Sequence, residues 1–251
     1  MKHFVIHHPR LVDRKAHVIK RFSDLGVTDA EWVEDLNADS DFVKWVKEWT
    51  GSPLQHGHIS CTVKYYWIFD QMIKRNIPSA IILEDDVVFH DMYKELCIPL
   101  GIDYVKLGKG VNFDVPLGTC PITLRNYGGT EAQYVSLQFA REMMNLFTLE
   151  QTIDIVICAH LKHSGRPLLC VPVCHQTSLL EGSGITGANT NQVMNWIEFV
   201  DNWSSIPRVT WASILEGYEK KKKIDADFER DFHKKISIVN AEYLKGYAFP
   251  E

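Results

Sequence analysis

Ala80-Ile81-Ile82-Leu83-Glu84-Asp85-Asp86-Val87 sets four apolar residues directly against three acids. A short apolar run with no alternation is the pattern of a strand buried on both faces, as in a parallel sheet. In an open α/β sheet, ligands bind outside the carboxyl ends of the strands. The acids Glu84, Asp85 and Asp86 are therefore placed where a ligand would sit. Three adjacent carboxylates repel one another, and a cation offsets that cost. Hard divalent ions such as Mg²⁺ or Mn²⁺ take oxygen donors and bridge one or two carboxylates to phosphate oxygens. A nucleotide diphosphate is then the natural partner. The plain alternative is an exposed acidic turn.

The pattern on either side of this stretch alternates strand and helix. Residues 3–7 predict a short buried strand. Val18, Ile19, Phe22 and Leu25 recur at helical spacing within 12–25, and Gly26 stops that helix. Further helices are predicted over 39–50, 57–75 and 153–163. Strands are predicted at 103–108 and 167–173, and residues 134–148 pass from a short strand into a helix. Residues 177–191 are rich in Gly, Ser, Thr and Asn and predict a loop. From about 192 the pattern is helical. The expectation is an α/β domain over 1–190 and a helical extension over 191–251 packed on it.

The chain has 251 residues, 45% of them hydrophobic, and a formal net charge of -5. That size allows one large domain or two small ones. The composition excludes disordered and fibrous classes, and the mild acidity argues against nucleic-acid coating. No secretory leader or membrane span is visible, so the expectation is a soluble, cytoplasmic protein. The six cysteines are irregularly spaced and predict reduced thiols rather than a disulfide framework. Lys220 to Lys223 predict a solvated helix face.

Several familiar motifs fail on context. Gly182-Ser183-Gly184-Ile185-Thr186-Gly187 fits G-x-G-x-x-G, but it neither follows a strand nor opens a helix. A flexible loop is the better reading. No P-loop and no G-x-S-x-G elbow occurs. His7-His8, His56 with His58, Cys158 with His160 and His163, and Cys170 with Cys174 and His175 lack zinc-site spacing.

The order of short segments resembles glycosyltransferase family 25, the lipopolysaccharide-type and procollagen galactosyl-type transferases. The segments are Val5 to Arg14, Gly57 to Cys61, Ile81 to Val87, Asp103 to Gly108, Gly129-Thr130 with Tyr134 to Ser136, Ile153-Asp154, and Pro172 to Gln176. Departures from the family pattern are His7 for an asparagine, His58 for a glutamate, and Lys64-Tyr65 for a Ser-His pair.

The resemblance implies a GT-A-like, Rossmann-type mixed sheet flanked by helices, with a helical C-terminal appendage. It implies a hexosyltransferase that takes a nucleotide sugar, most often a UDP-sugar, with Mn²⁺ or Mg²⁺. The acceptor is a hydroxyl of a glycan, lipid-linked glycan or protein, and transfer proceeds with inversion. His7, Arg10, Arg14, Glu84, Asp85 and Lys106 fall at the donor, and Asp86, Glu84 and His175 at the metal. Inversion needs a base for the acceptor hydroxyl. Asp154 and Glu131 are the candidates, in that order, with a cap on the helix of 153–163 as the alternative role of Asp154. The Gly-rich stretch 181–187 would close over the donor. Two other readings stay open: a non-catalytic nucleotide- or sugar-binding relative, and a Mg²⁺-dependent nucleotide or phosphoryl hydrolase.

Overall fold

The computed structural model describes residues 1–108, 118–120, 129–176 and 196–245. The Gly-rich stretch 182–187 lies outside them. The apolar run of the acid stretch is strand β3, Ser79–Glu84. It pairs in parallel with β1, Lys2–Ile6, and antiparallel with β7, Ala132–Ser136. The sheet is therefore mixed rather than parallel at this strand. Its order is β2-β1-β3-β7-β5-β8-β4, with β6 pairing β8. The remaining strands are β2 Ala30–Val33, β4 Val87–Phe89, β5 Tyr104–Gly108, β6 Gly118–Cys120 and β8 Leu168–Gln176. An α/β architecture is what the sequence predicted.

This order forces the sheet to curl. Only Asp85 and Asp86 separate β3 from β4, yet the two strands lie four places apart in the sheet. Flat strands spaced about 4.8 Å apart would put them about 19 Å from each other. Three Cα steps reach at most about 11 Å. Curling brings β4 back over the face covered by helix α1, Val12–Leu25, where Phe22 and Phe89 rings meet at 5.6 Å. The acid turn lies where the sheet folds back on itself.

The pleat sorts the core into two faces. Val5, Ile81, Leu83, Val105, Leu107, Ala132 and Tyr134 join Val18 and Phe22 of α1 in one cluster. The alternate residues, Phe4, Ile82, Glu84, Lys106 and Gln133, point to the other face. There α3, His56–Lys74, covers the sheet, and Cys61 reaches Glu84. Helix α2, Asp41–Thr50, is capped by Ser40, whose hydroxyl accepts from the Val43 amide at 3.3 Å. Helices α4, Leu137–Met143, and α5, Ile153–His163, follow β7.

Helices α6, Trp196–Asp201, and α7, Trp211–Lys245, supply the helical tail. The chain divides into two compact units, Met1–Trp211 and Ala212–Glu251. In the first, Trp211 is buried against Phe42, Tyr66 and Phe147. In the second, α7 pairs Lys220 with Glu216 and Lys222 with Glu219. Among the described residues no helix is long and apolar enough to cross a membrane. Among the described residues Cys61, Cys97, Cys158 and Cys174 are free thiols.

One ion-pair group ties α4 to α5 and to the start of β8. Arg166 donates to both oxygens of Glu142 at 2.8 Å, and His160 Nε2 lies 3.0 Å from the same carboxylate. Burial alone would raise the Glu142 pKa, but the hydrogen bonds from Arg166, His160 and Gln138 outweigh it and hold it at about 2. A lowered carboxylate pKa contributes stability above its ordinary pKa, lost as pH falls through the folded value. Glu142→Gln is expected to cost about 2–3 kcal/mol at pH 7. Urea unfolding should show that difference shrinking between pH 4.5 and pH 2.

Candidate functional site at the acid turn

The three acids do not act as one cluster, because the pleat divides them. Asp85 lies on the α1 side. Its Oδ1 accepts from Arg14 Nη1 at 2.8 Å, and its Oδ2 accepts from His7 Nδ1 at 2.8 Å and from the His8 amide at 3.3 Å. Both oxygens are thus committed to the end of β1 and the start of α1. Arg14 also stands 3.7 Å from Asp86 Oδ2, with its side chain only 8% exposed. A buried guanidinium between two buried carboxylates offsets the repulsion that the sequence alone would impose.

Arg10 differs from Arg14. Its side chain is 79% exposed and pairs with Asp39 at the surface. Of the two arginines carried over from the resemblance, Arg14 is locked into the turn and Arg10 faces solvent.

Glu84 lies on the α3 side. Its Oε1 accepts from the Thr130 hydroxyl and from Cys61 Sγ, the latter at 3.7 Å. Burial, with the Asp86 charge beside it, pushes the Glu84 pKa up to about 8, against the opposing pull of the Thr130 hydrogen bond. Burial also pushes the Cys61 thiol well up, so it is not a reactive thiolate.

The segment presenting Thr130 is pinned along its length. Gly129 takes φ +73°, a left-handed conformation that a side chain would strain. Its amide donates to Asp154 Oδ2 at 3.3 Å, and its carbonyl accepts from Lys106 Nζ at 2.9 Å. Tyr65 donates to the Thr130 carbonyl at 2.9 Å, and the Glu84 amide donates to the Glu131 carbonyl at 3.0 Å. The Glu131 side chain is fully buried, 4.0 Å from Lys106, and packs so closely on Gly108 that a Cβ there would meet it at 2.3 Å. Asp154 is half-buried in the first turn of α5, near half-buried His58. Burial lowers the His58 pKa, opposed by the Asp154 charge.

His175 lies on β8 in register with Val88, two residues past Asp86, and shares a 3.2 Å hydrogen bond with His90. Among the described residues no group of three or more His, Cys, Asp or Glu side chains surrounds a common point as a metal cage would. The structure therefore gathers His7, Arg14, Glu84, Asp85, Asp86, Lys106, Glu131 and Asp154 around the turn. It sets Arg10 at the surface and His175 beside His90.

Sequence reasoning missed Lys64, Tyr65, Thr130 and Cys61. Lys64 carried a signal: it is the one charge between His58 and Asp70, on a helix otherwise apolar or neutral there. It is buried, and burial lowers its pKa to about 8.

Residues 1–101 match the family model of glycosyltransferase family 25, described as an LPS biosynthesis protein. The matched segment contains the acid turn, and the match supports a glycosyltransferase. No curated protein matches the chain. Among solved structures, a glycosyltransferase involved in the glycosylation of the major capsid of PBCV-1 aligns at 10% identity and a TM-score of 0.38. The alignment covers 82% of this chain and 98% of that one.

Proposed function

We propose, from the family 25 match over residues 1–101, that the chain transfers a hexose from a nucleotide sugar to an acceptor hydroxyl. The donor is a UDP-sugar and the acceptor a glycan, a lipid-linked glycan or a protein. The observation that carries this reading is the acid turn itself, which stands at the carboxyl ends of β1 and β3 inside the matched segment. The domain reading that goes with it is a catalytic part within about 1–190 and a helical extension over 191–251.

A divalent ion fits this turn by donor chemistry. Mg²⁺-type ions that meet a diphosphate are held by one or two carboxylates plus phosphate oxygens, not by an all-protein cage. Asp85 is committed to Arg14 and His7, and Glu84 to Thr130. The resemblance carries over Asp86 as the acid that would hold Mn²⁺ or Mg²⁺, with Glu84 or His175 as the further donor. When bound, the ion would neutralise charge on the departing diphosphate.

The chain's own residues supply the rest. Arg10, exposed at the surface, would contact a donor phosphate, while Arg14 keeps Asp85 and Asp86 in place. Transfer forms a bond from the acceptor oxygen to the anomeric carbon and breaks the bond from that carbon to the diphosphate, with inversion. The acceptor proton goes to a carboxylate. Asp154 is half-buried and Glu131 fully buried, which favours Asp154 as that base.

Binding is the first test. UDP with Mn²⁺ at about 100 times Kd should stabilise the protein by roughly 2.7 kcal/mol and raise its melting temperature. An unchanged melting temperature at millimolar UDP and Mn²⁺ would count against a nucleotide site.

A further inference from the structure

The structure assigns Lys64 and Tyr65 as a positioning pair: two adjacent residues of α3 that fix the two walls of the acid turn. The inference rests on the proposed donor site.

Consecutive helix residues point about 100° apart, so Lys64 and Tyr65 reach in different directions. Lys64 Nζ donates to the His7 carbonyl at 2.6 Å and to Asn37 Oδ1 at 2.8 Å. It therefore joins the end of β1 to the loop that follows β2. That loop holds a strained residue, Leu36 at φ +60°, and Ser60, one turn before Lys64, donates to the Leu36 carbonyl at 2.7 Å. The same His7 donates through its ring to Asp85. Lys64 thus sets the height of the β1 end against the acid turn from below.

Tyr65 works on the opposite wall. Its hydroxyl holds the Thr130 carbonyl, and the Thr130 hydroxyl holds Glu84. Tyr65 is fully buried and Lys64 nearly so, which places both away from any ligand. Each acts through another residue: Lys64 through His7 and Asn37, Tyr65 through Thr130. The departure from the family's Ser-His pair is in this light a replacement of support, with both new side chains hydrogen-bonded to the walls.

The two arms predict different kinetic signatures. Lys64→Met should raise the Kd for UDP, measured calorimetrically, and the donor KM about tenfold or more, with kcat less affected. Tyr65→Phe should lower kcat about tenfold and leave UDP affinity within twofold. Asn37→Ala removes the loop side of the Lys64 contact from a half-buried position and should also raise Kd. Because both act through one contact, Lys64→Met with Asn37→Ala should weaken UDP binding no more than Lys64→Met alone. A purely structural role would lower melting temperatures and leave Kd, KM and kcat of the folded protein unchanged, which would overturn the assignment. If Lys64→Met does not fold, Asn37→Ala and Tyr65→Phe decide. Wild-type protein that neither binds UDP nor consumes a donor would overturn the site reading itself. Wild-type activity with unmoved variants would overturn only this pair.

Discussion

Asp85→Ala is expected to destabilise the protein by about 3–5 kcal/mol, the cost of leaving a buried charge without its partner. Arg14 is the charge left behind. Its side chain is 8% exposed, and the change removes its 2.8 Å contact to Asp85 Oδ1, leaving Asp86 at 3.7 Å among its neighbours. His7 Nδ1 and the His8 amide lose their acceptor in the same change. For a unit of this size the loss lowers the melting temperature by about 10 °C or more. Urea denaturation should give a lower midpoint at unchanged slope. Arg14→Met is expected to be comparably harmful, since it leaves Asp85 and Asp86 facing each other across a dry turn. The double variant should lose less than the sum of the two, because the second change removes the charge that the first one orphaned. Additive losses would contradict a buried pair.

The neighbouring acid should behave in the opposite way. Glu84→Gln is expected to stabilise the protein by about 1–3 kcal/mol at pH 8 while donor turnover falls at least tenfold. With the folded pKa near 8, the carboxyl is favoured in its protonated form in the native state. A raised pKa contributes stability that is full below the unfolded value, near 4.5, and lost as pH rises through 8. Glutamine keeps the oxygen that accepts from Thr130 and Cys61, and its amide stands in for the protonated oxygen. It cannot ionise, so the advantage of the variant grows between pH 4.5 and pH 8. Part of the Glu84 side chain is open to solvent, and screening there limits the gain. Such a gain in stability at a loss of function marks a residue kept for chemistry rather than folding. Melting curves across that pH range, beside donor turnover, check both halves. A variant less stable than wild type at pH 8 would contradict this account of Glu84.

These opposite signs for adjacent residues were not legible in the sequence. The acid stretch announced its strand because Ala80 to Leu83 is buried on both faces. Helices at Val12–Leu25 and Ile153–His163 were legible because their apolar spacing is strong. Strand β2 was not, since Ala30, Glu31 and Trp32 are only half-buried at the sheet edge and carry no apolar run. Strand β4 was hidden by its length of three residues. The division of the acids between the two faces needs the curl of the sheet, which depends on strand order. The partners of Asp85 lie 71 and 78 residues away, so no local pattern could have paired them. The resemblance grouped His7, Arg14 and Asp85 near one ligand, and the geometry adds that they hold one another.

The most direct measurement follows nucleotide release from a panel of UDP- and GDP-sugars, with and without Mn²⁺, for wild type and Asp86→Asn. Wild type is expected to consume at least one donor in the presence of the ion, and Asp86→Asn, still folded by circular dichroism, to lose at least a hundredfold. UDP binding without consumption of any donor, for any acceptor tried, would make the chain a non-catalytic relative. That result, or Asp86→Asn turning over as fast as wild type, would contradict the account.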